Sequence, residues 1–214
     1  GDTAIEGYTY KWSPSHSLNY DNISNPIAYP STTTTYTVTA SFNGITASDE
    51  VVVYVNPLPQ ISISNDTAIC YNNSILISAS GGTKYNWYPH TGLTTYNQAQ
   101  TYASPSSSTK YYVTVTNTYN CSNIDSIFIT VHNLPSVNAG NNATICYGRS
   151  VNITADTGFY SYSWYPLDNI DTINNTINAY PTSTTTYSLT VTDNNGCTAS
   201  NSVVVNVIPP TKTN

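Results

Sequence analysis

Apolar and polar residues alternate along most of this chain. In Ser150-Val-Asn-Ile-Thr-Ala155, Tyr160-Ser-Tyr-Ser-Trp164 and Tyr187-Ser-Leu-Thr-Val-Thr192, every second side chain is apolar. Period-two alternation marks half-buried strands, whose successive side chains point to opposite faces of a sheet. The strand ending at Trp164 is expected to stop at Tyr165-Pro166, because proline cannot donate to a ladder. From Asp168 to Thr186 there is room for one or two short edge strands, around Thr176 to Tyr180. Tyr187 to Thr192 and Thr198 to Val207 are expected to form a hairpin about Asp193-Asn-Asn-Gly196, since Asn and Gly tolerate positive φ. No segment combines helical periodicity with capping residues, so the chain reads as all-β.

The pattern recurs. Trp12, Trp87 and Trp164 lie 75 and 77 residues apart, and Tyr36, Tyr111 and Tyr187 lie 75 and 76 apart. Cys70 to Cys146 and Cys121 to Cys197 are both 76. A unit of about 76 residues is too long for a solenoid coil and suits a small β-sandwich. The division is 1–59, 60–135 and 136–210, with 211–214 opening a further repeat. Connectors rich in proline (Asn56-Pro-Leu-Pro59, His132-Asn-Leu-Pro135, Ile208-Pro-Pro210) separate the units and leave little slack. In this register Asp2 falls opposite Ile77, so the first repeat is expected to be incomplete, lacking its first strand and most of its second. The chain then reads as a slice of a longer array. An open sheet edge is an association hazard, so a preceding segment or a neighbouring chain is expected to cover it.

Composition narrows the partners. Five Lys and Arg stand against 11 Asp and Glu, a net charge of −6, and only 7% of residues are charged. Five scattered cations cannot form a basic patch, which argues against nucleic acid and anionic membrane surfaces. No apolar run approaches the roughly 20 residues that span a bilayer, so no membrane insertion is expected. Ser, Thr and Asn make up about two-fifths of the chain. The abundance of Val, Ile and Tyr argues against disorder.

Cys70 and Cys121 are 51 residues apart, as are Cys146 and Cys197. Of the three pairings that four cysteines allow, the equal spacing favours one bond within each unit, Cys70–Cys121 and Cys146–Cys197. Disulfides place the chain in an oxidising, extracellular compartment. There is no C-x-x-C and no histidine at ligand spacing to support a metal site instead. Trp12, Trp87 and Trp164 share a strand face with Tyr10, Tyr85 and Tyr162, which suits core residues better than a sugar-stacking platform. Tyr36, Tyr111 and Tyr187, just before the last hairpin, fit the tyrosine corner that braces such sandwiches. His16, His90 and His132 occupy non-equivalent positions beside no nucleophile motif. No carboxylate pair recurs, and Asp168, Asn169 and Asp171 do not follow the calcium-loop pattern. No catalytic residue, metal or cofactor is assigned, and the chain reads as a non-enzyme.

The frame I-C-Y-[NG], Y-x-W-[SY]-P, T-T-T-Y-x-[VL]-T, then N-G-C and a strand ending in x-P spans essentially the whole chain. It resembles the Ig-like or PKD-like repeats of secreted and cell-surface proteins of Bacteroidetes, such as gliding-motility adhesins and proteins with the type IX secretion sorting domain. Departures are Ile45 in place of the turn cysteine, Lys110 within the second threonine run, and the lack of W-x-F-G-D-G. The resemblance implies a tandem array of three β-sandwiches, the first incomplete, serving as a stalk, adhesin or fibre on the cell surface. Its partners would be other repeats of the same protein, neighbouring copies in a filament, and glycans. It also gives weight to Asp-[Ser/Thr] O-glycosylation motifs, which name Thr3, Thr67, Ser126 and Thr172 as acceptors, with Thr67 and Thr172 expected on loop-like ground. The alternative is an adhesin binding module that grips polysaccharide or another surface through Tyr- and Asn-rich loops; the repeats differ most at 19–29, 94–102 and 168–180, and Tyr96 and Tyr102 are the contacts to test.

Overall fold

The computed structural model describes residues 7–210, which form 17 strands and no helix. In the first repeat β1 (Thr9–Ser13), β2 (Thr34–Phe42) and β3 (Ile45–Val53) make one antiparallel sheet in the order β1-β2-β3. The second repeat holds β4 (Ser62–Ile63), β5 (Thr67–Cys70), β6 (Ile75–Ser80), β7 (Lys84–Tyr88), β8 (Gln100–Ala103), β9 (Thr109–Thr116) and β10 (Ser122–His132). These form two sheets, β5-β10-β9-β7 and β4-β6-β8. The third holds β11 (Ala143–Cys146), β12 (Val151–Thr154), β13 (Ser161–Tyr165), β14 (Ile170–Ile173), β15 (Thr176–Ala179), β16 (Thr185–Thr192) and β17 (Thr198–Ile208). Its sheets are β11-β17-β16-β13 and β12-β15-β14. The chain thus forms tandem Ig-like β-sandwiches of which the first is incomplete.

Packing divides the chain into two compact units. Among the described residues, one holds 7–60 with Gly81–Thr83 and Val115–Asn123; the other holds Ile61–Ser80, Lys84–Thr114 and 124–210.

Alternation builds the cores. In β16, Tyr187, Leu189 and Val191 point inward and are buried, while Thr186 and Ser188 face solvent. They pack with Val203 and Val205 of β17, and with Ile153, Ile177 and Ala179 of the opposite sheet. The second repeat buries Tyr111, Val113, Val115, Ile127, Ile129 and Ile77 in the same arrangement. The hairpin of β16 and β17 turns at Asp193–Gly196, where Asp193 Oδ1 accepts the amides of Asn195 and Cys197, each at 2.8 Å. Asn117 Oδ1 does the same for Tyr119 and Cys121. Such a side chain replaces the backbone partners that the turn lacks.

The first repeat differs because a single sheet cannot enclose its own face. Tyr36 pairs with Val51 as Tyr187 pairs with Val203, yet Val51 is 47% exposed and Val203 is fully buried. Trp87 and Trp164 are buried, whereas Trp12 is half-buried.

Each corner tyrosine ties its sheet to the chain leaving the tryptophan strand. Tyr111 Oη donates to Thr91 O at 2.7 Å, Tyr187 Oη to Asp168 O at 3.4 Å, and Tyr36 Oη lies 2.6 Å from Ser17 Oγ. Gly92 adopts φ of +78°, and a Cβ there would come within 3.0 Å of the Pro105 backbone and the Tyr111 hydroxyl, so only glycine fits that turn. Burial raises the Tyr111 phenol above its ordinary value; burial, then Asp168 and Tyr180, raises Tyr187. The unfolded phenols ionise first, near pH 10, so between that pH and the higher folded values the unfolded state holds fewer protons and stability falls as pH rises. Chemical denaturation of Tyr111→Phe should show a loss of about 1 kcal/mol at neutral pH. The same variant should show a shallower decline above about pH 10 than the native chain.

Candidate functional site

A disulfide joins the second repeat to the third. Cys70 is bonded to Cys197 across 127 residues, with Cα atoms 5.6 Å apart, and both lie in the second compact unit. Cys121 and Cys146 are free thiols, the first half-buried and the second exposed. This corrects the pairing expected from spacing, Cys70–Cys121 and Cys146–Cys197.

The reason is strand direction. β5 runs parallel to the end of β10, which sets Cys70 opposite His132. Cys121 precedes β10 by one residue, so the whole strand separates it from His132. Eleven residues at 3.3 Å each put the two cysteines roughly 36 Å apart, against the 7 Å limit for a disulfide. The third repeat repeats the arrangement, with Cys146 opposite Ile208 and Cys197 just before β17. Each complete repeat therefore carries one cysteine at its leading end and one at its trailing end. The bond joins the trailing cysteine of the second repeat to the leading cysteine of the third. Closing a loop of this length stabilises the folded pair by about 5 kcal/mol in the chain-entropy model.

A second feature sets the third repeat apart. In the first two, the segment after the tryptophan folds back over it. Trp12 donates from N to Asp21 O at 2.7 Å and from Nε1 to Ile23 O at 2.9 Å. Trp87 donates likewise to Tyr96 O at 2.7 Å and Gln98 O at 2.9 Å. In the third repeat the segment instead forms the β14–β15 hairpin, turning at Asn174-Asn175 and pairing with β12. Trp164 Nε1 is left buried with no acceptor among the described residues, a cost of about 1–3 kcal/mol. Beside it lies a half-open cleft of about 710 Å³, lined by Tyr160, Tyr162, Trp164, Thr172, Asn174 and Asn175 among others, with no charged side chain. Sequence reasoning did not assign this cleft. The signal was the Asn-Asn pair between two short alternating runs.

The described acceptor candidates all lie in strands. Thr67 opens β5 half-buried, Ser126 is half-buried within β10, and Thr172 is exposed in β14. The loop-like ground expected for Thr67 and Thr172 is therefore strand. Asp66 before Thr67 is engaged, its Oδ1 accepting the Phe128 amide at 2.8 Å, as Asn142 Oδ1 accepts that of Val204. Thr3 and residues 211–214 lie outside the described residues. Among the described residues no cluster of three metal-ligating side chains occurs, and no helix is long and apolar enough to cross a membrane.

Residues 58–135 match the family model described as Ig-like domain, CHU_C associated. No curated protein sequence matches the chain. Among solved structures, a three-domain fragment from the I-band of titin is similar at 12% identity, covering 96% of this chain and 90% of the fragment, with a TM-score of 0.47. Extracellular domains 3–5 of Drosophila OTK match at 10% identity over 94% of this chain and 85% of theirs, with a TM-score of 0.36. The insect immune protein hemolin matches at 14% identity over 94% of this chain and 67% of its own, with a TM-score of 0.39.

Thiol titration of the non-reduced protein should count two reactive groups per chain, with Cys146 reacting faster than Cys121. A count of zero would contradict the two free thiols.

Proposed function

We propose that this chain is a structural segment of a large extracellular protein, a stalk or fibre of Ig-like repeats on a bacterial surface, without catalytic activity. The observation that carries the reading is the Cys70–Cys197 bond, which couples successive sandwiches rather than stapling one. A bond between repeats limits hinge motion and lets tension pass along covalent links. The short proline connectors act in the same sense. The match of residues 58–135 to a family named for its CHU_C association supports the Bacteroidetes surface repeats suggested by the sequence frame. Low charge with abundant Ser, Thr and Asn suits a hydrated outer surface, to which O-linked glycans at Thr172 would add. Electron microscopy of native cells labelled with antibody to this segment should place the label along thread-like projections or detached fibres. Label confined to small compact particles in the medium would contradict the reading.

The cleft beside Trp164 favours a second reading, adhesion through an uncharged carbohydrate. Tyr160 and Tyr162 offer ring faces, and Asn174 and Asn175 offer amides. Glycan arrays should then show binding that Tyr162→Ala weakens at least tenfold and that Tyr96→Ala and Tyr102→Ala leave unchanged. The absence of binding to any neutral glycan would remove this reading.

A further inference from the structure

The edge of β3 and the thiol of Cys121 point to the same partner. In the second repeat, β5 lies along β10 with Thr67 opposite Ile129 and Cys70 opposite His132. In the third, β11 lies along β17 with Ala143 opposite Val205 and Cys146 opposite Ile208. Cross-strand pairing transfers this register to the first repeat, because Thr34 pairs with Val53 as Thr185 pairs with Val205. A strand seated in the same way would begin opposite Val53, the last residue of β3, pass Tyr54 and Val55, and place its cysteine opposite Asn56.

Cys121 is already at that place. Its Sγ lies 3.9 Å from the carbonyl oxygen of Asn56, and both residues belong to the first compact unit. The equivalent carbonyls in the other repeats accept the amide that follows the cysteine: Tyr71 N–H donates to His132 O at 2.8 Å and Tyr147 N–H to Ile208 O at 2.9 Å. The one bond present obeys the same rule, since Cys70 meets Cys197, which corresponds to Cys121. The core agrees with the register. Val51 and Val53 line, with Trp12, Leu18 and Tyr36, an apolar groove of about 140 Å³. The residue before each strand cysteine, Ile69 or Ile145, is buried in its own repeat. A groove of that size would receive such a side chain.

We infer that the edge from Val53 to Asn56, at the end of β3 and just beyond it, accepts in parallel a strand of the Thr67–Cys70 kind from a further repeat, and that its cysteine forms a disulfide with Cys121. Two thiols lose two protons and two electrons to make one S–S bond; the electrons reduce a low-molecular-weight disulfide to two thiols. Strand and bond act together: pairing completes the half-sandwich, and the bond fixes it to the following repeat. The inference rests on the proposed array.

The test uses the full chain and a synthetic peptide with the sequence Asn65–Asn73, in a buffer of reduced and oxidised glutathione. Digestion with trypsin and an endoprotease that cuts before aspartate separates Cys121 from Cys146, and mass spectrometry locates the peptide adduct. Strand docking predicts an adduct at Cys121 at least tenfold above that at Cys146, although Cys146 is the more exposed thiol. A peptide carrying Ala68→Pro, which cannot pair along a strand, should lose that preference. Adducts that favour Cys146, or that ignore the proline, would overturn the inference. The array reading would stand in that case, because it depends on the Cys70–Cys197 bond.

Discussion

A strand advances about 3.3 Å per residue, and that fixed rise, with the parallel placement of each repeat's first long strand, governs how this molecule is joined. Had that strand entered antiparallel, its cysteine would sit near the hairpin turn and could close a bond inside the repeat. Entering parallel, it carries the cysteine to the far end of the last strand, where only the next repeat can meet it. The choice is made by β5 against β10 and by β11 against β17, in the same register both times. The cross-link between the second and third repeats thus follows from the topology of each single repeat.

The repeats share a frame and diverge where burial is weakest. The corner tyrosines and the last hairpin recur with matching pairs, because they hold the two faces of the sandwich together. The segment after the tryptophan is less constrained. In the first two repeats it satisfies the indole N–H through a backbone carbonyl, and in the third it leaves that N–H alone to form an edge hairpin. The third repeat carries the adhesion reading because that hairpin supplies Thr172, Asn174 and Asn175 to the uncharged cleft.

Much of this was legible in the residues. Alternation at Ser161–Tyr165 and Thr185–Thr192 reports the strands directly, because inward and outward positions alternate in a half-buried sheet. The turn at Asp193–Gly196 was legible because positive φ demands Asn or Gly; Gly196 has φ of +81°. The disulfide was not. A spacing of 51 within repeats and one of 127 between them both recur under a 76-residue translation, so periodicity cannot separate the two. Strand direction separates them, and a pattern of apolar positions carries no direction. The exposure of Trp12 could not be read from its local sequence, which matches that of Trp87; it follows from the absence of an opposite sheet among the described residues of the first repeat, in line with the register that aligns Asp2 with Ile77.

The most direct measurement of the central claim is the disulfide map of the non-reduced chain after trypsin. Cleavage at Lys84, Lys110 and Arg149 puts Cys70, Cys197 and the pair Cys121 and Cys146 on three different peptides. Coupling between repeats predicts that the Cys70 peptide, 12–84, is linked to the Cys197 peptide, 150–212, while the peptide 111–149 runs free. A single species in which 111–149 bridges the other two would contradict it.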